Sequence, residues 1–192
     1  MNSRYICVME AIITIVGFLG AGKTTLLRRL IAEYVDEDWS PFVILNDYEN
    51  ASLDAQQFHE DIDKDFIKAL SGSCICCSGI NELREFVNTI PERKNGVTII
   101  EANGTSDACS LMGFLGVGLN QRFLPPIQVS VVDAANWQLR ADNNELEANQ
   151  IQVSSLIVLT HLDKVDDYRR DVVTNEIKRI NPSANVLSFD DI

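Results

Sequence analysis

Gly17-Phe18-Leu19-Gly20-Ala21-Gly22-Lys23-Thr24 follows the order G-x-x-x-x-G-K-[ST], a spacing suited to holding phosphate groups. Glycines at 17, 20 and 22 let successive backbone N–H groups, that of Ala21 among them, turn inward around an anion. Lys23 is the residue to bridge β- and γ-phosphates, and the Thr24 hydroxyl is the natural Mg2+ ligand. Thr25, opening the next helix, is placed for the α-phosphate. A glycine-rich turn with no ligand is the bland alternative. The complete motif, set between an apolar strand and a helix, argues against it.

A second constellation is Cys74-Ile75-Cys76-Cys77, which gathers three of the chain's five cysteines. In a reducing compartment such a cluster serves metal binding or redox chemistry, not a disulfide framework. Thiolates favour Zn2+ and tolerate Co2+ or Ni2+. Cys76 and Cys77, being adjacent, cannot easily face one ion from a regular strand or helix, so a loop is expected. A tetrahedral site needs a further ligand. His59 and His161 are weak candidates, and the isolated Cys7 and Cys109 read as small buried residues.

The elements that must carry these groups alternate regularly. Strands are expected at Ala11–Val16 and at 42–45, 97–100, 127–132, 156–159 and 186–189. Helices are expected at 24–35, 81–90, 108–115, 134–148 and 168–180, with a short helix or turn at 65–70. This alternation implies a mainly parallel sheet with helices on both faces, the three-layer α/β fold of the P-loop nucleotide-binding proteins. No repeat, low-complexity tract or linker interrupts it, so residues 1–192 read as a single domain.

Bulk composition narrows the partners. The chain has 192 residues, 46% hydrophobic and 23% charged, enough for one well-shielded core. A formal net charge of -12 repels phosphate backbones, which argues against nucleic acid. It does not oppose nucleotide binding, because a P-loop neutralises phosphates locally. The apolar run at 11–22 is too short and too glycine-broken to span a bilayer, so a cytoplasmic location is expected.

Four further segments fall in line behind the phosphate loop, and together they resemble the CobW-like P-loop GTPases, a group of metallochaperones. GFLGAGKTTLL is the form of phosphate loop typical of that group. Cys74-Ile75-Cys76-Cys77 matches its C-x-C-C metal motif. Glu101-Ala102-Asn103-Gly104 matches its E-x-x-G segment, and Val131-Val132-Asp133-Ala134 its later strand end. Residues 154–163, followed by Asn181-Pro182, resemble its base-recognition strand and closing helix.

The resemblance implies that Glu101 holds Mg2+ through water or orients the attacking water. It likewise implies that Gly104 offers an N–H to the γ-phosphate and lets that segment move. Because the group sets an acid of its first switch near the cysteines, Asp47 is the implied fourth metal ligand, with Glu49 second. Departures are equally specific. The guanine motif N-K-x-D stands here as Thr160-His161-Leu162-Asp163. Asp163 keeps the carboxylate that accepts two hydrogen bonds from guanine, and Thr160 can tie the loop down. His161 replaces a lysine, exchanging a fixed charge for a ring that can stack. The first switch reads Asn46-Asp47-Tyr48-Glu49-Asn50, with Glu49 and Asn50 in place of the group's glycine and second acid.

What the resemblance implies is a slow GTPase using Mg2+ with GTP, and a Zn2+ (or Co2+/Ni2+) site coupled to nucleotide state for delivery to a client. A non-hydrolysing module that senses nucleotide or sequesters metal is the alternative. Expected partners are GTP or GDP, a metal ion and a client metalloprotein, with a homodimer as a further option. The C-terminal domain usual in the group is not expected within these residues.

Overall fold

The computed structural model describes residues 9–46, 58, 62–70 and 79–192. Among these residues, seven strands form one parallel sheet: β1 (Ala11–Val16), β2 (Ser40–Leu45), β3 (Ile67–Ala69), β4 (Gly96–Glu101), β5 (Ile127–Asp133), β6 (Leu156–Thr160) and β7 (Asn185–Ser188). Their spatial order is β3-β2-β4-β1-β5-β6-β7, with β3 and β7 at the edges. The inner strands are buried nearly end to end, so their polar residues, Thr14, Thr98, Gln128 and Ser130, are buried along with the apolar ones.

Alternate residues of each strand feed two cores. On one face, α1 (Lys23–Asp36) lays Leu26, Leu27 and Ile31 against Ile13, Ile15, Val43, Ile99 and Val131. Burying each of those three helix side chains stabilises the fold by about 1.5–3 kcal/mol. On the other face, α2 (Gly79–Thr89) and α3 (Ala108–Leu115) cover Ile12, Val16, Ile44 and Ile100. Next to them, α4 (Asn144–Gln152) and α5 (Asp167–Ile180) enclose Val132, Trp137, Ile157 and Leu159.

Two expected elements differ. The helix foreseen at 134–148 is a turn, then a single 3-10 turn at Ala141–Asn143, then α4 alone. Local side-chain bonds win over helix there. The Asp133 carboxylate accepts from the N–H groups of Ala135 and Asn136, the Asn144 side chain accepts from Arg140 N–H, and Gln138 and Ala141 adopt positive φ. The segment at 65–70 is a 3-10 turn, Lys64–Phe66, capped by Asp63, which runs directly into edge strand β3.

Chain direction changes sides at β1. Strands β2 to β4 lie on one flank of it and β5 to β7 on the other, so the crevice beyond its C-terminal end is where a ligand site forms in such sheets. At the opposite end, the fully buried Glu10 is paired with Arg93 at 2.7 Å and with Arg122. A Cβ at position 96 would lie 2.3 Å from the Glu10 carboxylate, so close packing there requires Gly96.

Candidate functional site

β1 ends at Val16 and the chain turns through Gly17 to Gly22 into α1. Gly17, Gly20 and Gly22 all have positive φ, at 148°, 76° and 97°. Gly17 also passes so near β5 that a Cβ would sit 2.3 Å from the Val131 carbonyl oxygen. Lys23 is buried at the start of α1, with Nζ 3.5 Å from the Phe18 carbonyl. From the next position, Thr24 donates its hydroxyl to Glu101 Oε1 at 2.8 Å.

Lys23, Thr24 and Glu101 line a cleft of about 170 Å³ with Leu19, Gly20, Leu45, Asn46, Ala102, Asn103 and Gly104. Gly104 lies against the loop so closely that a Cβ would come within 2.8 Å of both the Leu19 side chain and its backbone nitrogen. Beside this cleft, at the end of β6, lies a second pocket of about 270 Å³. It is lined by Leu159, Thr160, His161, Leu162, Asp163, Phe189 and Asp190. The Thr160 hydroxyl ties the second pocket to the glycine-rich loop, donating to the Ala21 carbonyl at 2.8 Å. His161 takes the left-handed conformation at φ 54°, and its Nδ1 lies 3.3 Å from Thr160 Oγ1 and 3.4 Å from Asp133 Oδ1. Asp163 is exposed at the pocket mouth.

This is a phosphate-sized cleft with a lysine, a hydroxyl and a carboxylate, adjoining a pocket with an open carboxylate. The model of the CobW/HypB/UreG nucleotide-binding domain matches residues 11–188. The chain belongs to that family. The zinc chaperone YjiA of Escherichia coli is 29% identical over 186 residues, covering 93% of this chain and 57% of that protein. A zinc-regulated GTPase metalloprotein activator 1 of Dictyostelium discoideum is 25% identical, over 89% of this chain and 44% of its own length. This chain thus spans about half the length of these relatives.

Among solved structures, the Zn(II)-bound YjiA GTPase of E. coli gives a TM-score of 0.61 at 20% identity, covering 97% of this chain and 57% of that one. HypB from Helicobacter pylori in complex with nickel gives 0.59 at 15%, covering 96% and 80%. At such identities the likeness speaks for the fold alone.

Within this CobW/HypB/UreG domain, Gly20, Lys23, Thr24, Glu101 and Gly104 line the first cleft, while Gly17, Ala21, Gly22 and Thr25 belong to the adjoining loop and the first turn of α1. Thr160, His161 and Asp163 gather at the second pocket. Cys74, Cys76 and Cys77, together with Asp47, Glu49, His59 and Cys7, lie outside the described residues. Cys109 is half-buried between α3 and α4, not fully buried, with Sγ 3.8 Å from the Asn149 carbonyl. Burial and the nearby Asp107 charge push its thiol pKa up. Among the described residues, no helix is long and apolar enough to cross a membrane.

Sequence reasoning missed several neighbours of the site. Phe189 and Asp190 line the second pocket because β7 ends beside β6, and only the position just after the last strand could have signalled them. Arg140 packs its guanidinium 4.5 Å over the Phe18 ring. It is also paired with Glu147 at 3.0 Å and with Asp133 at 3.4 Å. No motif announces Arg140, which lies seven residues beyond the strand end it buttresses.

Proposed function

We propose that this chain is the GTP-binding and slowly GTP-hydrolysing unit of a cytoplasmic metallochaperone, carrying Zn2+ (or Co2+/Ni2+) at Cys74, Cys76 and Cys77. The observation that carries the nucleotide half is the Thr24–Glu101 hydrogen bond inside the phosphate cleft. A hydroxyl and a carboxylate in contact form an all-oxygen donor pair that suits Mg2+, so Thr24 and Glu101 are the residues to hold it. Bound there, Mg2+ would neutralise charge on the β- and γ-phosphate oxygens.

The rest of the work falls to the chain. Loop amides from Gly20 to Thr25 receive the phosphates at the positive end of α1. Lys23, already buried beside them, meets the charge that develops on the γ-phosphoryl group. Gly104, pressed against Leu19, offers its N–H from the far wall. Asp163 accepts from the guanine edge, and Thr160 keeps its loop tied to Ala21.

Support for the metal half comes from strand ends. β2 and β3 are neighbours in register, Leu45 beside Ala69, and Leu70 N–H donates to the Leu45 carbonyl at 2.9 Å. Asn46 and Leu70, the last described residues before Asp47 and before the three cysteines, therefore both lie at one edge of the sheet. That edge adjoins the cleft, which Leu45 and Asn46 line. That adjacency of strand ends beside the cleft supports a nucleotide-coupled metal site, with Asp47 ahead of Glu49 as the proposed fourth ligand. In this reading the partners are a client metalloprotein and, as a further option, a second copy of the chain.

The test pairs metal analysis of protein purified without added metal with single-turnover GTP hydrolysis in Mg2+. Expected are near-stoichiometric Zn2+ that is lost in Cys76→Ser, and slow hydrolysis that is lost in Lys23→Ala. GTP bound but never hydrolysed would favour the non-hydrolysing module. Metal content unchanged by Cys76→Ser would remove the metal site.

A further inference from the structure

α4 carries the sequence Asn144-Glu-Leu-Glu-Ala-Asn-Gln-Ile-Gln152, yet it buries Glu147 and Gln150 with Ile151. Gln150 is 1% exposed, and its position is fixed from both ends. Its backbone carbonyl accepts from Gln128 Nε2 and from Ser130 Oγ on β5, each at 2.8 Å. Its side-chain amide reaches the other way. Nε2 donates to the Gly104 carbonyl at 3.1 Å and to the Ser106 carbonyl at 3.3 Å.

Both amide hydrogens are thus spent on the loop that closes the phosphate cleft, and the amide's orientation is not arbitrary. A flipped Gln150 would set its own oxygen against two carbonyls. Ser106 is buried as well, but its hydroxyl has no partner among the described residues, so it does not share the tether. The Gly104 backbone is clamped between Leu19 of the phosphate loop on one side and Gln150 on the other.

We propose that Gln150 is a positioning residue for nucleotide discrimination: it holds the 104–106 backbone where Gly104 can meet a γ-phosphate. A ligand contact that exists only for the triphosphate is sensitive to a displacement of a few tenths of an ångström, because hydrogen bonds weaken steeply with length and angle. GDP, which lacks that phosphate, does not test the 104–106 backbone. The inference rests on the reading of Gly104 given above.

The experiment compares the wild-type chain with Gln150→Leu, Gln150→Glu and Ser154→Ala. Ser154 belongs to the same buried network, bonded to Gln128, Ser130 and the Gln150 carbonyl, but its hydroxyl makes no hydrogen bond to the 104–106 segment among the described residues. Two readouts are taken: the affinity ratio for a non-hydrolysable GTP analogue over GDP in Mg2+, and amide hydrogen exchange at Thr105 and Ser106. Both Gln150 variants should lower the ratio about tenfold, the loss of one well-placed hydrogen bond, with GDP affinity nearly unchanged. They should also speed exchange at those two amides, while Ser154→Ala lowers the melting temperature and leaves both readouts as in wild type. An unchanged ratio or unchanged exchange in the Gln150 variants overturns the proposal, as does an equal effect from Ser154→Ala. Wild-type protein that fails to distinguish the two nucleotides overturns the Gly104 reading instead, and that failure is visible before any variant is made.

Discussion

Replacing Gly17 or Gly20 by alanine puts one methyl group into each end of the same loop, and the structure gives the two opposite outcomes. At Gly17 the new Cβ would sit 2.3 Å from the Val131 carbonyl oxygen, on backbone that cannot rotate away. Ordinary contact lies near 3.5 Å, so the loop and β5 must part by about 1 Å. That separation works against the parallel pairing of Val16 with Ser130. Overpacking of this kind costs about 1–3 kcal/mol, and forcing φ of 148° on an alanine adds about 1–3 kcal/mol. At Gly20 nothing lies within 4 Å and only the positive φ of 76° is penalised, at about 1 kcal/mol. Its methyl instead enters the phosphate cleft that Gly20 lines. Urea denaturation should therefore show Gly17→Ala losing about 4 kcal/mol and Gly20→Ala about 1 kcal/mol. Nucleotide titration of folded protein should show Gly20→Ala binding at least about tenfold more weakly. Equal destabilisation by the two changes, or native affinity in Gly20→Ala, would refute the reasoning.

Asp163→Ala should weaken GTP and GDP alike, by about a hundredfold for two charge-assisted bonds, in a competition assay. The melting temperature should hardly move, because Asp163 is exposed. Arg93→Leu leaves Glu10 buried with one partner fewer, and denaturation should show a loss of about 3–5 kcal/mol. Burial holds the Glu147 carboxyl above its ordinary value of 4.5, against the opposing pull of the Gln138 N–H and of Arg140. The folded chain then binds that proton more tightly than the unfolded one, so this contribution is full below 4.5 and is lost as pH rises through the folded value. Denaturation at stepped pH should accordingly show Glu147→Gln gaining on wild type as pH rises from about 4 to about 7.

Most of the fold was legible because its signals are local. The strands at 11–16, 127–132 and 156–159 are rich in Ile, Val and Leu, interrupted only by Thr14, Gln128 and Ser130, which the sheet buries with them. α1 and α5 were equally visible from their spacing. The helix foreseen from 134 failed because single polar side chains, Asp133 and Asn144, captured backbone N–H groups that a helix would have used. β3 was hidden because three half-exposed residues at a sheet edge carry no pattern.

By itself the sequence determined that a phosphate-loop motif joins a strand to a helix, and in what order the family's motifs follow. Those depend on residue identity at fixed spacing along one strand-to-helix turn. Tertiary structure decided what no spacing can encode. Glu101 meets Thr24 across 77 positions, Thr160 meets Ala21 across 139, and Gln150 meets Gly104 across 46. The register of β1 between β4 and β5 and the docking of a polar helix set those meetings. Burying Gln150 and Glu147 becomes affordable only when distant carbonyls and an arginine are waiting for them.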